Sequence, residues 1–289
     1  MKNRYLIIGL GGTGTRHAKL LHKLEPGAKI FAMRSGLGHG QALDFVTDVG
    51  EWPCSHIDAC FICNPTNLHI HTAMGVADRG IPIFLEKPIT NSLDGLNALA
   101  DKISAQNLRT YVAYPFRHHP HITKLKESIL SGTPGQPTHA AFTSWSNLET
   151  WRDYPTYSAS AAAGGGVLFE LSHELDMAVH LFGPIKKLGG YTTRLSDFQA
   201  TDADTYANLW AIHESGFESS FDLSIEYRGL PVRNIIYSDK AVDLRDHGDM
   251  YERQMRYFLG NLQNPNMMNS IPSAKRLVKQ IIKFLGTVK

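Results

Sequence analysis

Residues 9–14 read Gly9-Leu-Gly-Gly-Thr-Gly14, directly behind the apolar run Tyr5-Leu-Ile-Ile8. Directly ahead lies Thr15–Leu24, with Ala18, Leu21 and Leu24 on one helical face and Arg16, Lys19 and Lys23 on another. This G-x-G-x-x-G turn between a strand and a helix is the most constraining feature of the chain. In that context Gly9 allows the tight turn, Gly11 lets backbone approach a pyrophosphate, and Gly14 lets helix and strand pack closely. Gly12 and Thr13 complete the turn, whose helix N-terminus favours an anion. The alternative is a glycine-rich turn with no ligand. About twenty residues on, an acid would hold the ribose 2′-hydroxyl of NAD. Here the sequence reads Met33-Arg34-Ser35. Arg34 can pair with a 2′-phosphate and Ser35 can donate to it, which favours NADP over NAD. Otherwise Arg34 is a solvated surface residue.

The next hundred residues continue the alternation. Strands are expected at Lys29–Met33, Ala59–Cys63, Ile81–Leu85 and Thr110–Tyr114, with a helix carrying Leu93, Leu96, Leu99 and Ile103. Such units imply a parallel sheet covered on both faces. After about residue 120 the pattern changes. A helix carries Ile122, Leu125 and Ile129, and the turn Gly132–Pro137 follows. Antiparallel strands are expected at Thr138–Ser146, Thr205–His213, Phe217–Tyr227 and Val232–Tyr237, with one helix at about Val167–Phe182. Two helices close the chain, one with Tyr251, Met255, Phe258 and Leu262, the other with Leu277, Ile281 and Leu285. The expected division is an α/β domain at 1–118, an α+β substrate domain at 119–272, and a C-terminal helix at 273–289 packing back on the first domain.

Composition excludes several classes. In 289 residues, 29 Lys+Arg against 27 Asp+Glu leave almost no net charge, which argues against a dedicated nucleic-acid binder. No apolar run approaches the ~20 residues of a membrane span. The first apolar run ends in glycines and reads as a strand, not a signal peptide. Cys54, Cys60 and Cys63 are too few and clustered for a disulfide framework, so a reducing cytoplasm is expected. Cys60 and Cys63 read as buried strand residues, not as half of a zinc site.

Further motifs carry a family resemblance. Glu86-Lys87-Pro88 and Asn64-Pro65 each follow a strand, and Arg117-His-His-Pro120 follows the fifth. Gly164-Gly-Gly-Val-Leu-Phe-Glu170-Leu-Ser-His173-Glu-Leu-Asp176 precedes Leu181-Phe-Gly183. With the glycine turn, in this order, the chain resembles the glucose–fructose oxidoreductase/inositol dehydrogenase/MocA (Gfo/Idh/MocA) family over nearly its whole length. The resemblance implies a Rossmann domain plus an α+β C-terminal domain with a large, mostly antiparallel sheet. It implies NAD(P)-dependent hydride transfer at a carbinol carbon of a sugar, cyclitol or related polyol. It places Lys87 between nicotinamide and substrate hydroxyl, puts Glu86, Asn64, Pro65 and His69 beside the cofactor, and makes His173 and Asp176 the histidine and aspartate of the H-x-x-D stretch. Most members have an aspartate four residues before that histidine. Here the position is Phe169, and Glu170 is the nearest carboxylate. The variant Glu170–Asp176 stretch is associated with members in surface-polysaccharide and nonulosonic-acid sugar pathways.

The chemistry is coherent from first principles. Removing a hydride from a carbinol requires a base for the hydroxyl proton, and histidine, or a lysine of lowered pKa, suits that task. Glu170, His173 and Asp176 at i, i+3 and i+6 on one helix would form a polar stripe, with His180 seven residues beyond His173. A solvated helix face is its bland alternative. The catalytic candidates are therefore Lys87, His173, Glu170 and Asp176. Lys87, Arg117, His119, Tyr157 and His173 are the candidate substrate contacts. His118, His119 and His121 lack a clear fourth ligand, so no metal is expected; a helix cap is the other reading of His119. Homo-oligomerisation through the C-terminal sheet is a further expectation. Two alternatives stand beside the dehydrogenase: a non-catalytic NAD(P)-sensing protein on the same fold, and a cofactor-recycling epimerase or glycosidase.

Overall fold

The computed structural model describes residues 2–34, 43–53, 56–132, 138–151, 157–194, 201–238, 240–264 and 266–287. It divides into two compact units, Met1–Ala113 with Glu252–Arg276, and Tyr114–Tyr251 with Leu277–Lys289.

The first unit runs β1 (Arg4–Ile8), α1 (Gly12–Leu24), β2 (Lys29–Met33), β3 (Val46–Val49), β4 (Ala59–Ile62), α2 (His69–Ala77), β5 (Ile83–Glu86), α3 (Leu96–Ala105) and β6 (Thr110–Ala113). Its six strands lie in the order β3-β2-β1-β4-β5-β6, every pair parallel. Strands covered on both faces read as continuous apolar runs, and every residue of β4 and β6 is buried. The order reverses between β1 and β4, the place where ligands bind in open α/β sheets. In this unit a strand and a helix escaped the sequence reading. The β3 segment is an edge strand with two exposed residues among four, and α2 follows the Asn64-Pro65 turn. Helix α1 starts at Gly12, inside the glycine turn, three residues before the expected Thr15.

The second unit runs α4 (Pro120–Leu130), β7 (His139–Trp145), α5 (Leu148–Trp151), α6 (Val167–Glu170), α7 (Ser172–Phe182), β8 (Ile185–Thr193), β9 (Tyr206–His213), β10 (Glu218–Ser224), β11 (Val232–Tyr237) and β12 (Lys240–Asp243). Its sheet order is β12-β11-β7-β10-β9-β8, antiparallel except for the β7–β10 pair. Burial alternates along β7 and β9, as a sheet packed on one face requires. Phe142, Leu209, Phe221 and Ile235 on that face form one core with Leu175 and Ala178 of α7. The single helix expected at Val167–Phe182 is two, broken at Leu171 (φ −101°, ψ 28°).

The closing helices are α8 (Met250–Gly260) and α9 (Ile271–Leu285). Met255 and Phe258 belong to the first unit's core, where Phe258 meets Phe84 and Phe61 with ring centroids 5.2 and 5.5 Å away. Just before α9, Asn269 pairs with both backbone groups of Val112, and Ile271 donates to the Thr110 hydroxyl; together they cover the β6 edge. From Leu277 onward α9 belongs to the second unit: Leu277, Ile281 and Phe284 sit in its core. Of the span 273–289 expected on the first unit, the residues up to Arg276 group with it and those from Leu277 with the second. The amphipathic pattern of α9 shows a buried stripe but not which core receives it. Among the described residues no helix is long and apolar enough to cross a membrane.

Candidate functional site

At the head of α1 the glycines have different jobs. Gly9 sits at φ +92°, and a Cβ there would lie 2.7 Å from the Asn64 nitrogen. A Cβ on Gly14 would overlap the Gly9 carbonyl oxygen, so close packing of helix and turn requires both. Gly11 and Gly12 are exposed, and a Cβ built on either meets nothing within 4 Å. Their own packing does not demand glycine; a group lying against that backbone would. Gly11 is the N-cap of α1 with no side-chain cap, and the first turn holds no acid. The N–H groups of Gly12, Thr13 and Gly14 thus open the helix without a side-chain acceptor, a fit for a phosphate.

Across the reversal point, Cys63 N–H donates to the Ile8 carbonyl and fixes the β4 end beside the turn. Asn64 donates to the Thr72 hydroxyl at 2.8 Å, while its own Oδ1 is buried without a partner. His69, expected beside a cofactor, is buried, with Nδ1 2.8 Å from the Pro88 carbonyl and Nε2 2.9 Å from the Asn64 carbonyl. Burial lowers its pKa. The ring lies between a carbonyl of the Asn64-Pro65 turn and one of the Lys87-Pro88 turn.

Glu86 ends β5 and precedes the cis Lys87–Pro88 peptide. Its carboxylate accepts from Nε2 of His17 at 2.6 Å. His17 lies on α1 with 1% of its side chain exposed, against 18% for Glu86, and its ring packs on Phe84 and Phe61. Burial alone would raise the Glu86 carboxyl, but the His17 hydrogen bond and charge, with Lys87 and Arg16, hold it below the usual range. His17 went unremarked in the sequence because its partner lies 69 residues away.

Arg34 follows β2 and donates Nε to Oδ1 of Asp48 at 2.7 Å. The end of β2 therefore does have an acid nearby, delivered by β3, whose register sets Asp48 opposite Ala32. The sequence reading missed it for want of β3. Ser35 lies outside the described residues.

In the second unit, Arg117 and Asp176 were expected to face substrate and His173 respectively. They bind each other: Arg117 donates Nε to Oδ2 at 2.8 Å and Nη2 to Oδ1 at 2.7 Å, with 12% and 2% of their side chains exposed. Burial raises the Asp176 carboxyl, against the opposing charges of Arg117 and Lys126. Glu170 is buried at the end of α6, and His173, half-buried, opens α7. The break at Leu171 interrupts the single helix on which the stripe was expected. Tyr114 and Phe116 meet the His173 ring edge-on at 5.7 and 5.3 Å. His180 sits beside Lys126, which donates to its Nδ1 at 3.2 Å; burial, then the charges of Arg117 and Lys126, lower its pKa to about 3.

His119 is the N-cap of α4, its Nδ1 accepting from the His121 N–H and its Nε2 donating to the Asp246 carbonyl at 2.7 Å. It is buried, and the capping arrangement, one of the two readings of this residue, is present. The side chain of Tyr157 lies outside the described residues. The sequence also hid a second buried pair, Arg233 Nε with Glu174 Oε1 at 2.8 Å, the guanidinium lying 4.7 Å over the Phe116 ring.

The comparisons with known proteins agree with the fold. A family described as oxidoreductase, NAD-binding Rossmann fold, matches residues 3–114. The GFO/IDH/MocA C-terminal domain matches residues 122–242. The scyllo-inositol 2-dehydrogenase (NAD(+)) of Bacillus subtilis (strain 168) is 30% identical over 193 residues, 62% of this chain and 54% of that protein. The myo-inositol 2-dehydrogenase of Thermotoga maritima is 26% identical over 188 residues, 61% of this chain and 54% of that protein. The chain thus spans about half the length of the curated relatives it matches. The crystal structure of GenD2 from gentamicin A biosynthesis, in complex with NAD, superposes with a TM-score of 0.84 at 17% identity, covering 99% of this chain and 94% of that one, a likeness of fold. A parallel sheet opening on a glycine turn, a glutamate–lysine–proline end to β5, a second, mostly antiparallel sheet and two matching domains in sequence make this chain a member of the Gfo/Idh/MocA oxidoreductase family.

Proposed function

We propose that the chain is a nicotinamide-dependent oxidoreductase, NADP preferred over NAD, acting at a carbinol carbon of a sugar, cyclitol or derivative. The observation that carries the reading is the uncapped head of α1, with Gly11 and Gly12 open beside it. The N–H groups of Gly12, Thr13 and Gly14 would hold the pyrophosphate, and Arg34 a 2′-phosphate. The nicotinamide supplies hydride transfer. Lys87 polarises the reacting hydroxyl from the end of β5, and His173 carries its proton. Glu86, kept ionised by His17, places a fixed negative charge beside the Lys87 ammonium. Asp176 is committed to Arg117, which leaves Glu170 as the carboxylate to orient His173.

The inositol dehydrogenases among the relatives support a polyol substrate. The Glu170–Asp176 variant supports a place in surface-polysaccharide or nonulosonic-acid sugar metabolism. Cys60 and Cys63 are thiols pushed up by burial, in keeping with a reducing cytoplasm. The outer face of the second sheet, with Tyr191, Trp210 and Ile236 about half exposed, is the surface proposed for a homo-oligomer.

Gly11→Val tests the reading without disturbing the fold, because Gly11 has extended φ and ψ and open space around its Cβ. The variant is expected to keep its melting temperature within a few degrees while losing NADPH and NADH binding at least 100-fold, roughly the worth of two phosphate hydrogen bonds. Unchanged dinucleotide affinity in the folded variant would overturn the site. Dinucleotide binding by the unmodified protein with no hydride transfer to any polyol would favour the sensing alternative.

A further inference from the structure

We infer that Asp48 is a cofactor-selecting residue, opposing the 2′-phosphate through its ion pair with Arg34. The inference rests on the dinucleotide reading of the glycine turn. Arg34 leaves β2 at the end where the adenosine ribose is read in this sheet topology. Its guanidinium is already engaged through Nε by Asp48 at 2.7 Å. The parallel register of β2 and β3 holds that carboxylate in place, with Ala32 opposite Asp48 and Met33 opposite Val49. Both side chains reach solvent, Asp48 the more so, at 56% against 23%.

Two demands therefore meet at one guanidinium. A 2′-phosphate needs its full positive charge, and Asp48 offsets part of it and repels the dianion directly. A ribose 2′-hydroxyl carries no charge and is indifferent to that repulsion. The carboxylate can also accept a hydrogen bond from that hydroxyl, from β3 and not from the end of β2 where the acid of NAD sites stands. Two negative charges about 6 Å from Asp48, in a dielectric near that of water, correspond to about a tenfold loss of affinity. Asp48 thus narrows the preference for NADP that Arg34 confers.

The experiment is fluorescence titration of NADPH and NADH into the full chain, the Asp48→Asn variant and the Arg34→Ala variant, at low and high salt. Asp48→Asn is expected to tighten NADPH about tenfold and leave NADH unchanged or weaker, the NADPH gain shrinking at high salt. Arg34→Ala is expected to weaken NADPH and spare NADH. Asp48→Ser, which also removes the charge, should reproduce the shift if Asp48→Asn fails to fold. The affinity ratio of the two dinucleotides is the readout, because a merely structural role for Asp48 would move both together. A ratio within twofold of the unmodified protein's in a folded, dinucleotide-binding variant refutes the inference. If the unmodified protein binds neither dinucleotide, the reading of the glycine turn fails, and the inference with it.

Discussion

Removing the imidazole of His17 should destabilise the first unit by an amount that depends on Glu86. The pair is the most buried ionisable contact in that unit's site: 2.6 Å from Nε2 to carboxylate, with His17 1% and Glu86 18% exposed. Hydrogen bonds to charged groups contribute roughly 1.5–3 kcal/mol, and breaking a fully buried pair costs about 3–5 kcal/mol. Glu86 keeps some contact with water, which places the coupling near the lower range, about 2 kcal/mol. A double-mutant cycle of His17→Ala, Glu86→Gln and the double variant isolates it. Amide hydrogen exchange in β4 and β5 is the assay, because it reports the first unit by itself. The pH dependence follows in sign. Glu86 is held below its ordinary value of 4.5, so its contribution is complete above about pH 4.5 and is lost as pH falls through the depressed folded value. The gap between the unmodified protein and His17→Ala should therefore narrow on acidification. A coupling below ~0.5 kcal/mol, or a gap constant with pH down to about 3, would refute the argument that His17 keeps Glu86 ionised.

Other substitutions separate packing from chemistry. Gly14→Ala sets a methyl against the Gly9 carbonyl and should cost about 3–5 kcal/mol, read as lost exchange protection in α1; a variant as stable as the parent would contradict the close approach of turn and helix. Asp176→Asn leaves the Arg117 guanidinium, 12% exposed, without its countercharge and should lower stability by about 3 kcal/mol in thermal unfolding. An unchanged transition there would mean that the bidentate pair contributes nothing.

The parts of this molecule legible in its sequence are those encoded locally. The glycine turn, its strand and its helix are contiguous, and so are Lys87 and the strand that ends beside it. The parallel-then-antiparallel organisation followed from apolar runs whose periods differ between the two halves. What stayed hidden depends on partners distant in sequence. Asp48 reaches Arg34 only because β3 adds to the β2 edge, and β3 is too short and too exposed to announce itself. Nothing local to His69 reveals that the carbonyls of Asn64 and Pro88 flank its ring. Asp176 and Arg117 are 59 residues apart, so the helical spacing that seemed to aim Asp176 at His173 carried no information about its true partner. The break at Leu171 is invisible to periodicity, since apolar spacing continues across it. The destination of α9 is likewise a tertiary fact, decided by which core Leu277, Ile281 and Phe284 fill.

The account stands most directly on hydride transfer itself. A panel of inositols, sugars and nucleotide-linked sugars should be offered with NADP and NAD to the full chain and to Lys87→Ala, with the absorbance of the reduced nicotinamide as the signal. The expected result is reduction with at least one polyol by the unmodified protein, and a fall of at least 100-fold in turnover for Lys87→Ala with dinucleotide affinity kept, the scale of losing a general acid–base group. Turnover by Lys87→Ala equal to that of the unmodified protein would contradict the role given to the end of β5 and require another residue to polarise the reacting hydroxyl.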